Sequence, residues 1–291
     1  MKKLSIAVLV TAILGVNLNA KELKMYACGI TRIAFMQELN EAFSKKSGIK
    51  ISMNKKGGDL FVLDGVNKKE ADIGSGCRDT IKDIDSEKKL WSTQIAWGAL
   101  SFIVNPKNKI NNISMGDIKK ILTGKIKNWK KLGGADKPIH LIVRESPNSG
   151  IGRTARELLF KDPKIAFDKD AKNVKSSGFV RKAVGEDEYS FAIDNIISSS
   201  KDKKIKILKV DNIEATKENI LADKYKLRQA LYLYLNDKPK DLAKKYIDFA
   251  LSQEGQKIIS KTGTANLEEA TGKEDEENLI FQNLQFDVKT K

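Results

Sequence analysis

Residues 23–53 read LKMYACGITRIAFMQELNEAFSKKSGIKISM, which predicts a strand, a helix and a second strand in succession. The apolar run 23–27 is strand-like, and apolar residues then recur at helical spacing until Gly48 ends the pattern. A second helical pattern over 60–66 and a short apolar run at 71–73 extend the order to β-α-β-α-β. This alternation predicts an α/β fold with a parallel sheet, and ligands of such folds bind at the carboxyl ends of strands.

Three short loops follow strand-like runs and offer small or hydroxyl residues before a helical pattern, namely CGIT at 28–31, GSGCR at 74–78 and SGIGR at 149–153. A helix N-terminus exposes unpaired N–H groups, so the three loops together predict an anion site. Arg144 lies just upstream of the third loop, and its planar guanidinium can donate two parallel hydrogen bonds to a tetrahedral oxyanion. The alternative for Arg144 is a surface ion pair with the adjacent Glu145.

Two further arginines, Arg78 and Arg153, lie within these loops. Each has two open interpretations, as a ligand of the anion or as a brace for a neighbouring element.

The first twenty residues have the pattern of a secretory signal peptide. Lys2 and Lys3 precede an apolar run over 4–16, and a small residue, Ala20, stands at the expected cleavage point. No later run reaches eighteen apolar residues, the length expected of a membrane span. We therefore expect a mature protein that is soluble and exported to the periplasm.

The chain is basic, with a formal net charge of +15, but its lysines are interleaved with Asp and Glu and no aromatic-plus-basic stretch accompanies them. This pattern is typical of solvated helix faces and does not predict a nucleic-acid partner. One His and two Cys argue against a structural zinc site, and no Ser-His-Asp, metal or phosphate-loop motif occurs. We expect neither an enzyme nor a cofactor.

Two long apolar runs, 95–104 and 227–235, predict buried strands that carry the chain between two domains. The expected organisation is one lobe from residues 21–98 with 233–291, and a second from 99–232. Each lobe is large enough to form its own core.

The most specific motifs lie between these crossings. They are ILTGKIKNW at 121–129, LGG at 132–134 and PI at 138–139, followed by Arg144, with VNP at 104–106 and FALSQEGQ at 249–256 as further matches. Over roughly residues 23–262 the chain resembles the PstS-like periplasmic phosphate-binding proteins of ABC transporters. The tail from 264 to 291 has no counterpart in the resemblance.

The resemblance implies a two-lobed periplasmic-binding-protein (Venus flytrap) fold with two hinge-crossing strands that closes on a dehydrated oxyanion. Carried over residue by residue, it implies ligand contacts from Thr31, Arg32, Asp59, Cys77, Arg144, Ser149 and Gly150, with the hydroxyl of Thr31 and the backbone N–H of Arg32 as donors. The sequence departs from the family at three positions, where Asp replaces the usual Ser at 59, Cys replaces Ser or Asp at 77, and Ile replaces Thr at 151.

Asp59 has two interpretations. A carboxylate beside an anion is repulsive unless the anion carries a proton, so Asp59 could select hydrogen phosphate or arsenate over fully ionised sulfate. The alternative is a helix N-cap for the pattern over 60–66.

Cys28 and Cys77 fall on carboxyl-end loops of the same lobe, so they could be neighbours. One disulfide is the favoured arrangement, and the alternative is two free thiols that face a thiophilic solute such as arsenite.

The expected function is therefore a monomeric periplasmic solute-binding protein that captures phosphate, or a closely related tetrahedral oxyanion, for an ABC permease. The alternative is a periplasmic oxyanion sensor or scaffold protein that presents its ligand state to a membrane receptor. The acidic and then amphipathic stretch 268–286 could dock such a receptor.

Overall fold

The structure, a computed structural model, describes residues 21–55 and 57–270. The predicted signal peptide and the C-terminal stretch 271–291 lie outside the described residues. Within the described ranges, no helix combines the length and the apolar character needed to cross a membrane.

The elements alternate between strands and helices along most of the chain. The strands are β1 Glu22–Ala27, β2 Lys50–Met53, β3 Ile73–Gly76, β4 Trp91–Val104, β5 Asn112–Ile113, β6 His140–Arg144, β7 Lys172–Val174, β8 Ser190–Asn195, β9 Lys206–Ile207, β10 Lys209–Val210, β11 Arg228–Leu235 and β12 Ala265–Asn266. The α-helices are α1 Gly29–Thr31, α2 Gln37–Ser47, α3 Asp59–Asn67, α4 Met115–Leu122, α5 Gly150–Phe160, α6 Ser177–Glu186, α7 Ile196–Ser199, α8 Lys217–Leu221, α9 Asp241–Leu251, α10 Gln253–Lys261 and α11 Leu267–Ala270, with a π-helical stretch Arg32–Met36 between α1 and α2 and a 3-10 turn Trp129–Leu132.

The main sheet has the order β2-β1-β3-β11-β4-β8-β6-β7. Strands β1, β2 and β3 pair in parallel, as do β6, β7 and β8, whereas β4 and β11 run antiparallel to their neighbours. We call the part built on β1–β3 lobe 1 and the part built on β6–β8 lobe 2. The predicted α/β fold class is confirmed.

Strand β4 belongs to both lobes. Its first part pairs with β11 as far as Ala99, and its last five residues, from Leu100 onward, pair with β8. The register against β11 shifts between Leu231 and Tyr232. The change of partner falls beside the lobe boundary expected after residue 98, and the boundaries themselves stay a prediction.

Serine side chains cap several helices among the described residues. Ser114 caps α4 by accepting a hydrogen bond from the backbone N–H of Asp117 at 3.0 Å. Ser149 caps α5 in the same way through the N–H of Gly152 at 3.1 Å.

One predicted loop is instead mostly strand. The strand expected at 71–73 lies at Ile73–Gly76, so the loop begins only at Cys77. The glycines serve close packing: a Cβ at Gly74 would lie 2.8 Å from side-chain carbons of Val62 and Val66 on α3. These small residues let α3 approach the sheet.

Candidate functional site

A cavity of about 970 Å³ lies between the lobes at the carboxyl ends of the parallel strands. Residues after β1 and β2 line it from lobe 1, and residues after β6 and β7 line it from lobe 2. This is the position that parallel α/β sheets favour for ligands. The polar residues that line it include Arg32, Arg144, Ser149, Lys175 and Ser176.

Arg144 is the last residue of β6 and is only 8% exposed. Its Nε donates to the carbonyl of Val174 at 3.4 Å, and its Nη2 donates to the carbonyl of Lys175. Among the described residues it has no carboxylate partner, so the expected alternative of an ion pair with Glu145 is absent there. A buried cation without a counter-ion is electrostatically suited to receive an anion.

The two residues predicted on the first loop lie differently from the expectation. The Thr31 hydroxyl is fully buried and donates to the carbonyls of Cys28 at 3.4 Å and Ser75 at 3.3 Å. The backbone N–H of Arg32 bonds the carbonyl of Cys28 at 3.0 Å within the helix, so the expected N–H donor is already used. The Arg32 guanidinium lines the cavity instead, and burial lowers its pKa.

The third loop lies where the sequence predicted it. Ser149 is buried and lines the cavity, and α5 begins at Gly150. A Cβ at Gly150 would lie 2.3 Å from Cys77 Sγ and 2.5 Å from Asp59 Oδ2. The α5 N-terminus of lobe 2 therefore touches lobe 1, and only glycine permits this approach.

Asp59 is the first residue of α3, and the N-cap is Gly58, so the capping interpretation of Asp59 is wrong. The Asp59 carboxylate is 2% exposed and accepts the backbone N–H of Cys77 at 2.6 Å and its thiol at 3.2 Å. Hydrogen bonding with Cys28, burial and the nearby Asp59 carboxylate together hold the pKa of Cys77 well above its ordinary value.

Cys28 and Cys77 are neighbours, as expected, but both thiols are free in the structure, so the favoured disulfide is not formed. The Cys77 thiol also donates to Asp59 at 3.2 Å, and Cys28 Sγ lies 3.6 Å from Thr31 Oγ1.

These side chains also form a group with the composition of a metal site. The ligand atoms of Cys28, Asp59 and Cys77 lie within 4.8 Å of one another, and all three residues are buried. The raised pKa of Cys77 favours the protonated thiol, whereas a metal ligand must be the thiolate. The expectation of no metal site stays a prediction.

Arg78 and Arg153, the two arginines with open roles, both have carboxylate partners. Arg78 forms a buried two-pronged pair with Glu87, at 2.7 and 2.6 Å. Arg153 pairs with Glu157 one turn along α5. Arg78 therefore braces the segment around Glu87, whereas Arg153 forms an ion pair within its own helix.

A fourth loop of the same kind was missed by the sequence analysis. Lys175-Ser176-Ser177-Gly178 follows β7 and opens α6, and Ser176 caps that helix through the N–H of Phe179 at 3.4 Å. Lys175, Ser176, Gly178 and Phe179 line the cavity. The signal in the sequence was only partial, because Ser-Ser-Gly stands before a helical pattern but the preceding strand, Lys172–Val174, is not an apolar run.

Gln229 on β11 was also missed. Its side-chain amide donates to the carbonyl of Cys77 at 2.9 Å and to the hydroxyl of Thr154 at 3.1 Å, so it joins the two lobes at the base of the cleft. No sequence signal distinguishes one Gln in a strand.

Comparison with known proteins gives consistent matches over most of the chain. A family model described as the PBP superfamily domain matches residues 30–254. The phosphate-binding protein PstS of Borreliella burgdorferi is 34% identical over 214 residues, which are 71% of this chain and 76% of that protein. The phosphate-binding protein PstS of Bacillus subtilis is 30% identical over 176 residues, 59% of this chain and 56% of the relative.

Among solved structures, a Clostridium perfringens protein described as a phosphate ABC transporter substrate-binding protein, with bound phosphate, superimposes with a TM-score of 0.74. It is 26% identical, and the match covers 85% of this chain and all of that one.

Proposed function

Because this chain belongs to the PBP superfamily and, within it, to the PstS-like phosphate-binding proteins, we propose that it captures phosphate in the cleft between its lobes. The ligand is inorganic phosphate or a closely related tetrahedral oxyanion, and the protein delivers it to an ABC permease. The relatives carry the names of binding proteins, in line with a protein that carries its ligand without converting it.

The main support for the proposal is the burial of Arg144 and the absence of a carboxylate partner for it among the described residues. Its guanidinium is buried in the cleft, bonds only carbonyl groups among the described residues, and lies in a cavity that Ser149 also lines. An anion in the cleft supplies the missing counter-charge, and hydrogen bonds from a guanidinium to a phosphate are among the strong ones.

The remaining predicted contacts surround this arginine. Arg32 contributes its guanidinium from lobe 1, and Ser149 with the first amides of α5 contributes neutral donors from lobe 2. Gly150 lies where the start of α5 meets the Asp59–Cys77 pair of lobe 1.

Asp59 gives the site its preference among oxyanions. In the proposed complex its carboxylate accepts the proton of hydrogen phosphate while it keeps its bonds from Cys77. Sulfate has no proton to offer at neutral pH, and its approach would leave two negative groups in contact.

Transport requires export and a membrane partner. The predicted signal peptide, outside the described residues, takes the protein to the periplasm, where it works as a monomer that docks on the permease. The sensor alternative depends on the stretch 268–286, most of which lies outside the described residues, and no described contact favours it.

The test is calorimetric titration of the ligand-free mature protein, residues 21–291, with phosphate, sulfate, arsenate and arsenite at neutral pH. We expect tight binding of phosphate and arsenate and no response to sulfate. Absence of phosphate binding contradicts the proposal. Binding of arsenite alone would indicate a site formed by the thiols of Cys28 and Cys77.

A further inference from the structure

Four large apolar side chains among the described residues are exposed, and all four line the same cleft. Ile33, Leu60 and Phe61 stand on lobe 1 and are 37%, 39% and 47% exposed, and Phe179 stands on lobe 2 and is 56% exposed. Apolar residues scattered singly over a surface need no explanation, but a cluster around a ligand site marks a binding surface. These four make the mouth of the cleft apolar.

The cavity is also far larger than the proposed ligand. Its volume of about 970 Å³ lies at the upper end of the roughly 300–1,000 Å³ typical of pockets for drug-sized ligands. A tetrahedral oxyanion fills a small part of it, next to Arg144 and Ser149.

The two lobes already touch at two points beside the cavity. A Cβ at Gly58 of lobe 1 would lie 3.0 Å from Nη2 of Arg144, and a Cβ at Gly150 of lobe 2 would lie 2.3 Å from Cys77 Sγ. The space that remains lies between the polar base and the apolar mouth.

The aromatic residue on lobe 1 has a fixed orientation. The Phe61 ring stacks on Tyr26 with centroids 4.9 Å apart and planes 14° apart, and close contact with Gly57 leaves no room for a side chain there. A ring held in this way loses little freedom when a ligand packs on its remaining surface.

The geometry points to a phosphate monoester with an apolar substituent as a second ligand class of this cleft. This inference rests on the proposed function, since the phosphoryl group occupies the same base. A monoester keeps three terminal oxygens, which can accept hydrogen bonds from Arg144, Arg32 and Ser149. The ester oxygen then points toward the mouth, where the substituent packs between Phe61 and Phe179.

The experiment is titration of the full mature protein with inorganic phosphate, methyl phosphate, phenyl phosphate and benzoate. Methyl phosphate is the matched ligand without the apolar group, and benzoate is the aromatic anion without the phosphoryl group. We expect phenyl phosphate to bind at least tenfold more tightly than methyl phosphate, and benzoate not to bind.

The double variant Phe61→Ala/Phe179→Ala locates the effect. Both side chains are about half exposed, and circular dichroism with a thermal melt checks that the variant keeps its fold. We expect the variant to lose about tenfold in affinity for phenyl phosphate and less than twofold for inorganic phosphate.

The outcomes separate this inference from the proposed function. Phosphate binding with no binding of either ester overturns the inference and leaves the proposed function intact. Equal affinity of the variant and the parent protein for phenyl phosphate also overturns it. Absence of phosphate binding overturns the proposed function and the inference with it.

Discussion

Two buried arginines near the cleft, Arg78 and Arg144, have opposite electrostatic surroundings. Arg78 follows β3 and Arg144 is the last residue of β6, and both donate to backbone carbonyls. Arg78 also holds Glu87 through two hydrogen bonds with both side chains nearly inaccessible, whereas Arg144 has no carboxylate partner among the described residues. The carboxylate of Glu87 neutralises the charge of Arg78, whereas no carboxylate among the described residues neutralises the charge of Arg144.

The difference shows that a buried cation alone does not identify an anion site. Arg78 even reaches lobe 2, where its Nε donates to the carbonyl of Asn148 at 2.7 Å, yet its charge is already matched. What marks Arg144 is an unmatched charge beside open volume and a helix N-terminus.

We expect the largest effect on stability from replacing Glu87, the carboxylate partner of Arg78. Replacing Glu87 by Gln leaves Arg78 buried without a counter-ion, and we expect the free energy of unfolding to fall by about 3–5 kcal/mol. Urea denaturation of the parent and variant proteins measures this.

The matched control is Glu157→Gln, which removes the partner of the more exposed Arg153 and should change stability by less than about 1 kcal/mol. A loss at Glu87 no larger than at Glu157 would contradict the assigned role of the Arg78 pair.

The second test removes the other arginine. Arg144→Ala should weaken phosphate binding by a hundredfold or more, because two charge-assisted hydrogen bonds together contribute about 3 kcal/mol or more. The unliganded protein should keep or gain stability, since the variant removes an unmatched buried charge. Titration calorimetry and urea denaturation give the two readouts.

Arg153→Ala serves as the control for Arg144, with phosphate affinity within about twofold of the parent. Phosphate binding by Arg144→Ala at parental affinity would remove this residue from the site.

A third test concerns the carboxylate of Asp59. Asp59→Asn should reduce the preference for phosphate over sulfate by about tenfold or more, because the amide no longer repels an unprotonated anion. The ratio of the two dissociation constants is the measurement. Asp64→Asn, on the exposed side of the same helix, should leave that ratio unchanged. If the ratio of the two dissociation constants is unchanged in Asp59→Asn, Asp59 does not select the ligand, and its role is limited to its hydrogen bonds with Cys77.

The smallest expected effect is on the pH dependence of stability, and it comes from Cys77, the residue before Arg78 in the chain. The pKa of Cys77 is raised above its ordinary value of 9.0, so the protonated thiol is favoured in the folded protein. Its contribution to stability is therefore present below the ordinary pKa and is lost as pH rises through the raised one.

We expect urea denaturation to show a decline in stability from pH 8 to 10 that is shallower in Cys77→Ser, by about 1 kcal/mol over that interval. Identical slopes in the two proteins would show that the thiol is not held protonated.

Much of the fold could be predicted from local patterns. Apolar periodicity located α2, the crossing strands β4 and β11, and the helix α5 after the third loop, because burial of one face imposes that spacing. The loop after β6 was correctly placed for the same reason, since strand ends and helix caps are local signals.

The pairing of the arginines could not be predicted, because it depends on partners brought together by irregular chain. Glu87 lies nine residues beyond Arg78 in a segment of turns, where no periodicity fixes which side chains meet. For the same reason the sequence left the roles of Asp59 and the two cysteines open: the thiol of Cys77 is engaged by a carboxylate 18 residues away in the chain.

Strand β4 passes unbroken through both lobes, so a change in the angle between the lobes requires this strand to bend. A bend between Ala99 and Leu100, where β4 changes its pairing partner from β11 to β8, would keep the backbone pairs on either side. Stiffness at that point then sets how fast the cleft reopens. The residence time of a bound anion is thus governed partly by a strand that never touches it.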